Sequence, residues 1–288
     1  MKRALQTVWA TSDRAMLVPD GDPTAAFLVA AQGMVLLDSD VVGYSNYATY
    51  FSNEILVEVG KRGDYIVTES FFDATTIAGL KLWLKADSIV PLVDGTRITQ
   101  WSDVSGNNYH LSAAGVDRPT LKTDVINRKP VVRFDGVANR IFNAASIAVA
   151  QPDTIIMVAF GIVNVSNLYF LSSSGAQQLL LLPNTGTYYM MATGGVAINP
   201  AGNRGGAFHI FTGVFNGASS NAYVDGVLVG SGNMAVAPVG AVYLMTNAGN
   251  TVHPPGDIAE MLIYNSALSD TNRNRVESYL KSKYNIGL

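Results

Sequence analysis

Cysteine does not occur among the 288 residues. Its absence excludes disulfide frameworks, thiolate metal sites and cysteine nucleophiles together. Charge is scarce as well: 14% of residues are Asp, Glu, Lys or Arg, against roughly 25% in an ordinary soluble domain. The formal net charge is −3 and no basic run occurs, so the phosphate-neutralising footprint of a nucleic-acid binder is missing. Long apolar runs are missing too. The most apolar stretch, 25–37, contains Gln32 and Gly33 and is too short to span a bilayer. Behind Lys2 and Arg3, polar residues from Gln6 to Arg14 interrupt any apolar core of a secretory signal, so none is expected. Neither nucleic acid nor a membrane is expected as a partner.

What is present is apolar bulk, 48% of the chain, diluted with Asn, Ser, Thr and Gly rather than with charge. That mixture suits an all-β protein with many turns. Charge divides near residue 75. Residues 1–79 hold five basic and ten acidic side chains, and residues 80–288 hold fourteen and twelve. The expected organisation is a small acidic module at 1–75 and a larger domain at 76–288.

In the module, alternation over 4–10 predicts a strand, and Pro19-Asp20-Gly21-Asp22-Pro23 predicts a turn. The run 25–31 fits a short helix or a buried strand, Asp38-Ser39-Asp40 could cap a helical turn, and 55–59 and 65–72 look like strands. Tyr44, Tyr47, Tyr50 and Phe51 recur at helical spacing, as a packing face or as a sugar-stacking stripe. A piece this small has little core of its own.

From Leu80 the chain becomes short β-runs separated by turns. Leu80–Lys85 alternates, and 130–134, 154–165, 168–171, 208–215, 242–245 and 258–264 continue the series. Residues 178–182 and 188–192 flank a turn, and Asp225-Gly226 is the strongest hairpin signal in the chain. Strands at this spacing argue a sandwich or barrel. One helix follows. Ser269 can cap it, and Val276, Tyr279, Leu280 and Tyr284 form its apolar stripe, with Arg273, Glu277, Lys281 and Lys283 mostly off it.

Three sequence blocks resemble the opening of laminin-G-like, concanavalin A-like jelly rolls. They are Leu82-Trp83-Leu84-Lys85-Ala86-Asp87, Trp101-Ser102-Asp103-Val104-Ser105-Gly106-Asn107, and Pro130-Val131-Val132-Arg133-Phe134-Asp135-Gly136. Tyr223-Val224-Asp225-Gly226 resembles the central hairpin of that family. Gly256 to Tyr264, Leu268-Ser269 and the terminal helix resemble its close. The resemblance covers about 79–286 and implies an all-β, concanavalin A-like jelly-roll sandwich with one C-terminal amphipathic helix, behind a small mostly-β module. It also places Trp83 and Trp101 in the core or at its edge. Residues 3–11, 17–23 and 25–28 resemble short modules of tailed-phage structural proteins, which implies attachment to a capsid, neck or tail.

Glycoside hydrolases need two carboxylates facing one cleft. Past Leu80 there are only two glutamates, Glu260 and Glu277. Glu260 stands alone on its strand, with Asp257 at i−3 expected on the opposite face. The histidines His110, His209 and His253 are unpaired in sequence, so no histidine metal site is signalled. His209 reads as a hydrogen-bonded core residue. For calcium, an oxygen-seeking ion, the candidate ligands are Asp103, Ser105 and Asn107, with Asn108 beside them and Asp257 from a neighbouring loop. The competing reading is an Asx turn in which Asp103 and Asn107 bond their own backbone, with no cofactor. Candidate glycan platforms are Tyr109, Tyr188 and Tyr189, with Tyr169 beside them.

The expected function is a non-enzymatic phage virion structural protein, a capsid decoration or head-fibre-like component at the virion surface. Residues 1–75 would hold a virion partner such as the major capsid protein, and the jelly roll would face outward and bind host-surface or environmental glycans weakly. A homo-oligomer is compatible with this. The alternatives are a free bacterial extracellular lectin and a glycoside hydrolase.

Overall fold

A computed structural model describes backbone and side chains of residues 72–161 (144 excepted), 169–174 and 204–287; elsewhere it describes only the backbone of the strands named below. The chain divides into two compact units, Met1–Asp73 and Ala74–Leu288.

In the first unit, Val8–Thr11 is the middle of a three-stranded antiparallel sheet between Leu17–Pro19 and Ala25–Ala30. The ambiguous 25–31 run is therefore a strand. Lys2–Arg3 pairs with Val35–Leu36, and Ile55–Val59 pairs with Asp64–Thr68. The Asp38-Ser39-Asp40 turn and the Tyr44 to Phe51 stripe lie outside the described residues.

The second unit is a sandwich of two eight-stranded antiparallel sheets. Its strands are β1 (Leu80–Lys85), β2 (Gln100–Trp101), β3 (Leu111–Ser112), β4 (Thr120–Ile126), β5 (Lys129–Asp135), β6 (Ile141–Phe142), β7 (Asp153–Gly161) and β8 (Leu168–Ser173). They continue as β9 (Gln178–Leu181), β10 (Tyr188–Met191), β11 (Ala197–Ile198), β12 (Phe208–Phe215), β13 (Ser220–Val224), β14 (Val227–Gly232), β15 (Val242–Leu244) and β16 (Pro255–Tyr264). The chain closes with helix α1 (Asp270–Tyr284). One sheet runs β11-β10-β9-β8-β15-β6-β3-β2, and the other runs β4-β5-β16-β7-β12-β13-β14. Strand β16 is long enough to pair β5 with its first half and β1 with its second, while β7 lies along its other edge.

The core fills the space between the sheets. Leu84, Phe134, Met157, Phe211, Ile258 and Ile263 face Trp101, Ile141, Phe170 and Leu244 across it. Strands β7 and β16 are buried nearly throughout, because α1 covers the outer face of their sheet. That double burial explains why they read as continuous apolar runs rather than alternating ones. At the hairpin between β13 and β14, Asp225 and Gly226 both take positive φ, 51° and 79°, as a two-residue type I′ turn requires.

Helix α1 starts where Ser269 Oγ accepts the Asn272 N–H and ends at left-handed Asn285. Its buried face differs from the expected apolar stripe. Arg273, Glu277 and Lys283 are buried beside Val276, Leu280 and Tyr284, while Tyr279 is half-buried. The sheet beneath supplies partners for these charges. Glu277 accepts from Thr212 Oγ1 at 2.8 Å and from Arg273 at 2.5 Å, and the Arg273 guanidinium lies 3.8 Å from the Tyr223 ring centroid. Burial pushes the Glu277 carboxyl up, against the opposing pull of Thr212 and Arg273.

Candidate functional site

Glu260 is fully buried beneath α1. Trp83 Nε1 donates to Oε1 at 2.6 Å, Lys283 Nζ to Oε2 at 2.7 Å and Tyr284 OH to Oε2 at 2.9 Å. Tyr279 OH donates to the same carboxylate at 3.0 Å, and Lys283 also reaches Asp87 at 2.9 Å. Every lobe of this carboxylate meets a donor of the helix or of β1. It fastens the helix and faces no solvent.

Asp257 corrects an expectation. A β-bulge opposite Val158 and Ala159 inserts one residue between Ile258 and Glu260. Ile258 points into the core, yet Asp257 and Glu260 share the outer face. They differ in cover. Helix α1 seals Glu260, whereas Asp257 lies at the end of the sheet that the helix does not reach.

There the register builds a row across four strands. Arg133 on β5 sits directly opposite Asp257 on β16, Asp257 opposite Phe160 on β7, and Phe160 opposite Phe208 on β12. The Arg133 guanidinium forks onto Asp257, with Nε to Oδ1 at 2.8 Å and a second nitrogen to Oδ2 at 2.7 Å. The Arg133 side chain remains 46% exposed, against 5% for Asp257, so the pair presents the guanidinium to solvent. The rings of Phe160 and Phe208, each half-buried, lie 5.3 Å apart between centroids. A cleft of about 380 Å³ opens on the first three members of this row, lined by Arg133, Asp135, Phe160, Pro255, Gly256 and Asp257, with Phe134 behind, and Phe208 lies beside it. Two glycines shape it. A Cβ on Gly256 would stand 2.6 Å from the Phe160 carbonyl, and one on Gly136 would stand 2.8 Å from Pro255.

Asp135 shares the cleft and is exposed. Its Oδ1 accepts the N–H groups of Val137, Ala138 and Asn139. Partial burial acts to raise its carboxyl, but these N–H bonds and the Arg97 charge prevail and hold it below the usual carboxylate range.

Of the proposed calcium ligands, Asp103, Ser105 and Asn107 bond to one another, whereas Asp257 pairs with Arg133. Both Asp103 oxygens are occupied: Oδ1 accepts the N–H of Trp83 and Ser105, and Oδ2 accepts Ser105 Oγ and the N–H of Tyr109. Ser105 Oγ accepts the Asn107 N–H, and Asn107 Nδ2 donates to the Leu80 and Lys81 carbonyls. Asn107 thus ties the loop to β1 rather than to its own backbone, and Asp257 is given over to Arg133. This loop is a hydrogen-bonded Asx turn, and among the described residues no three acidic, His or Cys side chains gather as a metal cluster.

Tyr109 packs half-buried against the core, and Tyr169 is half-buried. Tyr188 and Tyr189 lie on β10, where side chains are outside the described residues. His209 is hydrogen-bonded, its Nδ1 meeting Asp225 Oδ2 at 2.6 Å, but it is partly exposed rather than in the core. No sequence signal announced the Arg133, Asp257, Phe160 and Phe208 row, because its members come from four separated strands.

Residues 158–272 match the family described as the concanavalin A-like lectin/glucanases superfamily. The fold is concanavalin A-like. The second unit closes that match into a two-sheet sandwich, and solved structures share the architecture. The binding domain of Paraclostridial Mosquitocidal Protein 1 matches at TM-score 0.52 and 14% identity, over 72% of this chain and 53% of that one. An arabinofuranosidase complexed with arabinofuranosyl-α-1,2-xylobiose matches at 0.52 and 14%, over 65% and 51%. The binding domain of botulinum neurotoxin DC in complex with SialylT matches at 0.50 and 11%, over 72% and 52%. The match thus spans about half of each of these chains, and at such identities the likeness is one of fold. No curated protein matches the sequence.

Proposed function

We propose that this chain is a non-enzymatic virion structural protein of the capsid-decoration or head-fibre kind, anchored by residues 1–75, with its concanavalin A-like sandwich displayed outward to bind glycans weakly. The observation that carries the non-enzymatic part is the commitment of the carboxylates. Glu260 and Glu277 are sealed under α1. Asp257 gives both oxygens to Arg133. Asp135 is held below the usual carboxylate range, whereas the proton donor of a glycosidase needs a raised one. What the outer face offers is a cleft with the exposed Arg133 guanidinium and the Phe160 ring, flanked by Phe208, the composition of a binding site. The acidic module and the low charge of the whole chain support display on a large assembly, with a protein such as the major capsid protein as the holder.

A second reading has one observation of its own. Asp135 and Asp257 share a cleft and stand on adjacent strands two residues out of register, so a pair of carboxylates does face one space, as in a glycoside hydrolase.

Purified particles from a producing lysate test the display claim. Mass spectrometry should find the chain in stoichiometric register with the capsid protein, and labelled antibody against 76–288 should decorate intact particles. Recovery of the chain only as free protein would favour an extracellular lectin instead.

A further inference from the structure

The cross-strand row sits on the outer face of its sheet, beside the helix and away from the core between the sheets. We propose that the row Arg133, Asp257, Phe160 and Phe208 is the saccharide subsite of this protein and that it selects neutral over acidic sugars. This rests on the glycan-binding reading above and names its site and ligand class.

Adjacent strands lie about 4.8 Å apart, so the row from Arg133 to Phe208 extends for roughly 14 Å, the length of a short oligosaccharide segment. Its chemistry changes along that length. Arg133 can only donate. A sugar hydroxyl can accept from the exposed guanidinium, which Asp257, 5% exposed and bonded through both oxygens, holds in place. Phe160 and Phe208 then supply an apolar wall for the C–H face of the next ring. Such rings bury much area at little cost in freedom.

The charges decide between neutral and acidic ligands. The Arg133 guanidinium is already bound to Asp257, and Asp94 also acts on it. Arg97 acts on Asp135 and donates to the Val116 carbonyl. Among the described residues that act on the cleft, Arg133 is thus paired with Asp257 and Arg97 acts on Asp135, which stands on the cleft wall. A sialic or uronic acid would bring a further anion beside Asp135 and against an Arg133 already paired with Asp257, and desolvating that anion costs heavily.

The test uses the full chain and titration calorimetry. The neutral probes are xylopentaose, cellopentaose, maltopentaose and arabinopentaose; the acidic probes are 3′-sialyllactose and trigalacturonate. At least one neutral probe should bind at least tenfold more tightly than either acidic one. Phe208→Ala and Arg133→Lys, each checked for an unchanged far-ultraviolet spectrum, should weaken that binding fivefold or more. Asp135→Asn keeps the oxygen that accepts the three N–H bonds but removes the charge, and should narrow the gap between neutral and acidic probes. Preference for an acidic probe overturns the charge argument. Neutral binding that Phe208→Ala and Arg133→Lys both leave within twofold overturns the site while leaving glycan binding itself intact. Binding to none of the six probes overturns both.

Discussion

Glu260→Ala is expected to cost the sandwich roughly 3–5 kcal/mol, the usual penalty for removing one partner of a buried ion pair. The substitution leaves Lys283, itself 3% exposed, with only Asp87 for a counter-charge, and strips acceptors from Trp83, Tyr279 and Tyr284. A domain of this size loses about 2–4 °C per kcal/mol, so calorimetry should show a fall of roughly 6–20 °C. The penalty comes from orphaned partners rather than from a missing attraction. Glu260→Leu combined with Lys283→Met should therefore recover part of it, because no buried ammonium is left unpaired and the Asp87 that loses Lys283 is itself partly exposed.

Alkali attacks the same cluster. Burial disfavours charged Lys283, but Glu260 and Asp87 outweigh it and raise its pKa. Burial and the Glu260 charge push Tyr284 well above its ordinary value. Both groups thus hold their protons more tightly folded than unfolded. The stability they carry is present below about pH 10 and is lost as pH rises through the folded values. Tyr284→Phe should flatten the alkaline fall in melting temperature.

Trp101→Ala is the second large effect. The side chain is fully buried on a two-residue strand at the edge of its sheet, and its Nε1 donates to the Lys85 carbonyl at 3.0 Å. Large-to-small changes of this kind cost about 3–5 kcal/mol when the site cannot collapse. Here the walls are Leu84 and the facing strands, pinned by ladders on both sheets, so collapse is limited. The midpoint of guanidinium unfolding should shift accordingly. A loss under about 1 kcal/mol would mean that Trp101 is not a keystone of the core.

Much of this fold was legible in the chain. Asp225-Gly226 announced its hairpin, Ser269 its helix, and the 154–165 and 258–264 runs their strands, the first of which ends at Gly161. Strand β4 was not legible. It lies at a sheet edge with Lys122, Thr123 and Asp124 in sequence, and a register shift between Lys122 and Ile126 breaks its alternation. The docking face of α1 misled because its charges look solvated in sequence and become buried only when Glu260, Thr212 and Tyr223 answer them. The cleft was hidden by the same bulge. Counting by twos sets Asp257 and Glu260 on opposite faces, and one inserted residue returns them to the same face. Arg133, Phe160 and Phe208 then join Asp257 through register alone, which no local motif encodes.

The central claim is a sandwich that binds without cleaving. Prolonged incubation of the full chain with neutral arabinoxylan, xylan, β-glucan and sialylated glycans, read by released reducing ends, tests it most directly. The account predicts no release above the buffer blank, with wild type and Asp135→Asn indistinguishable. Release that Asp135→Asn or Asp257→Asn abolishes would contradict it and make the shared cleft an active site.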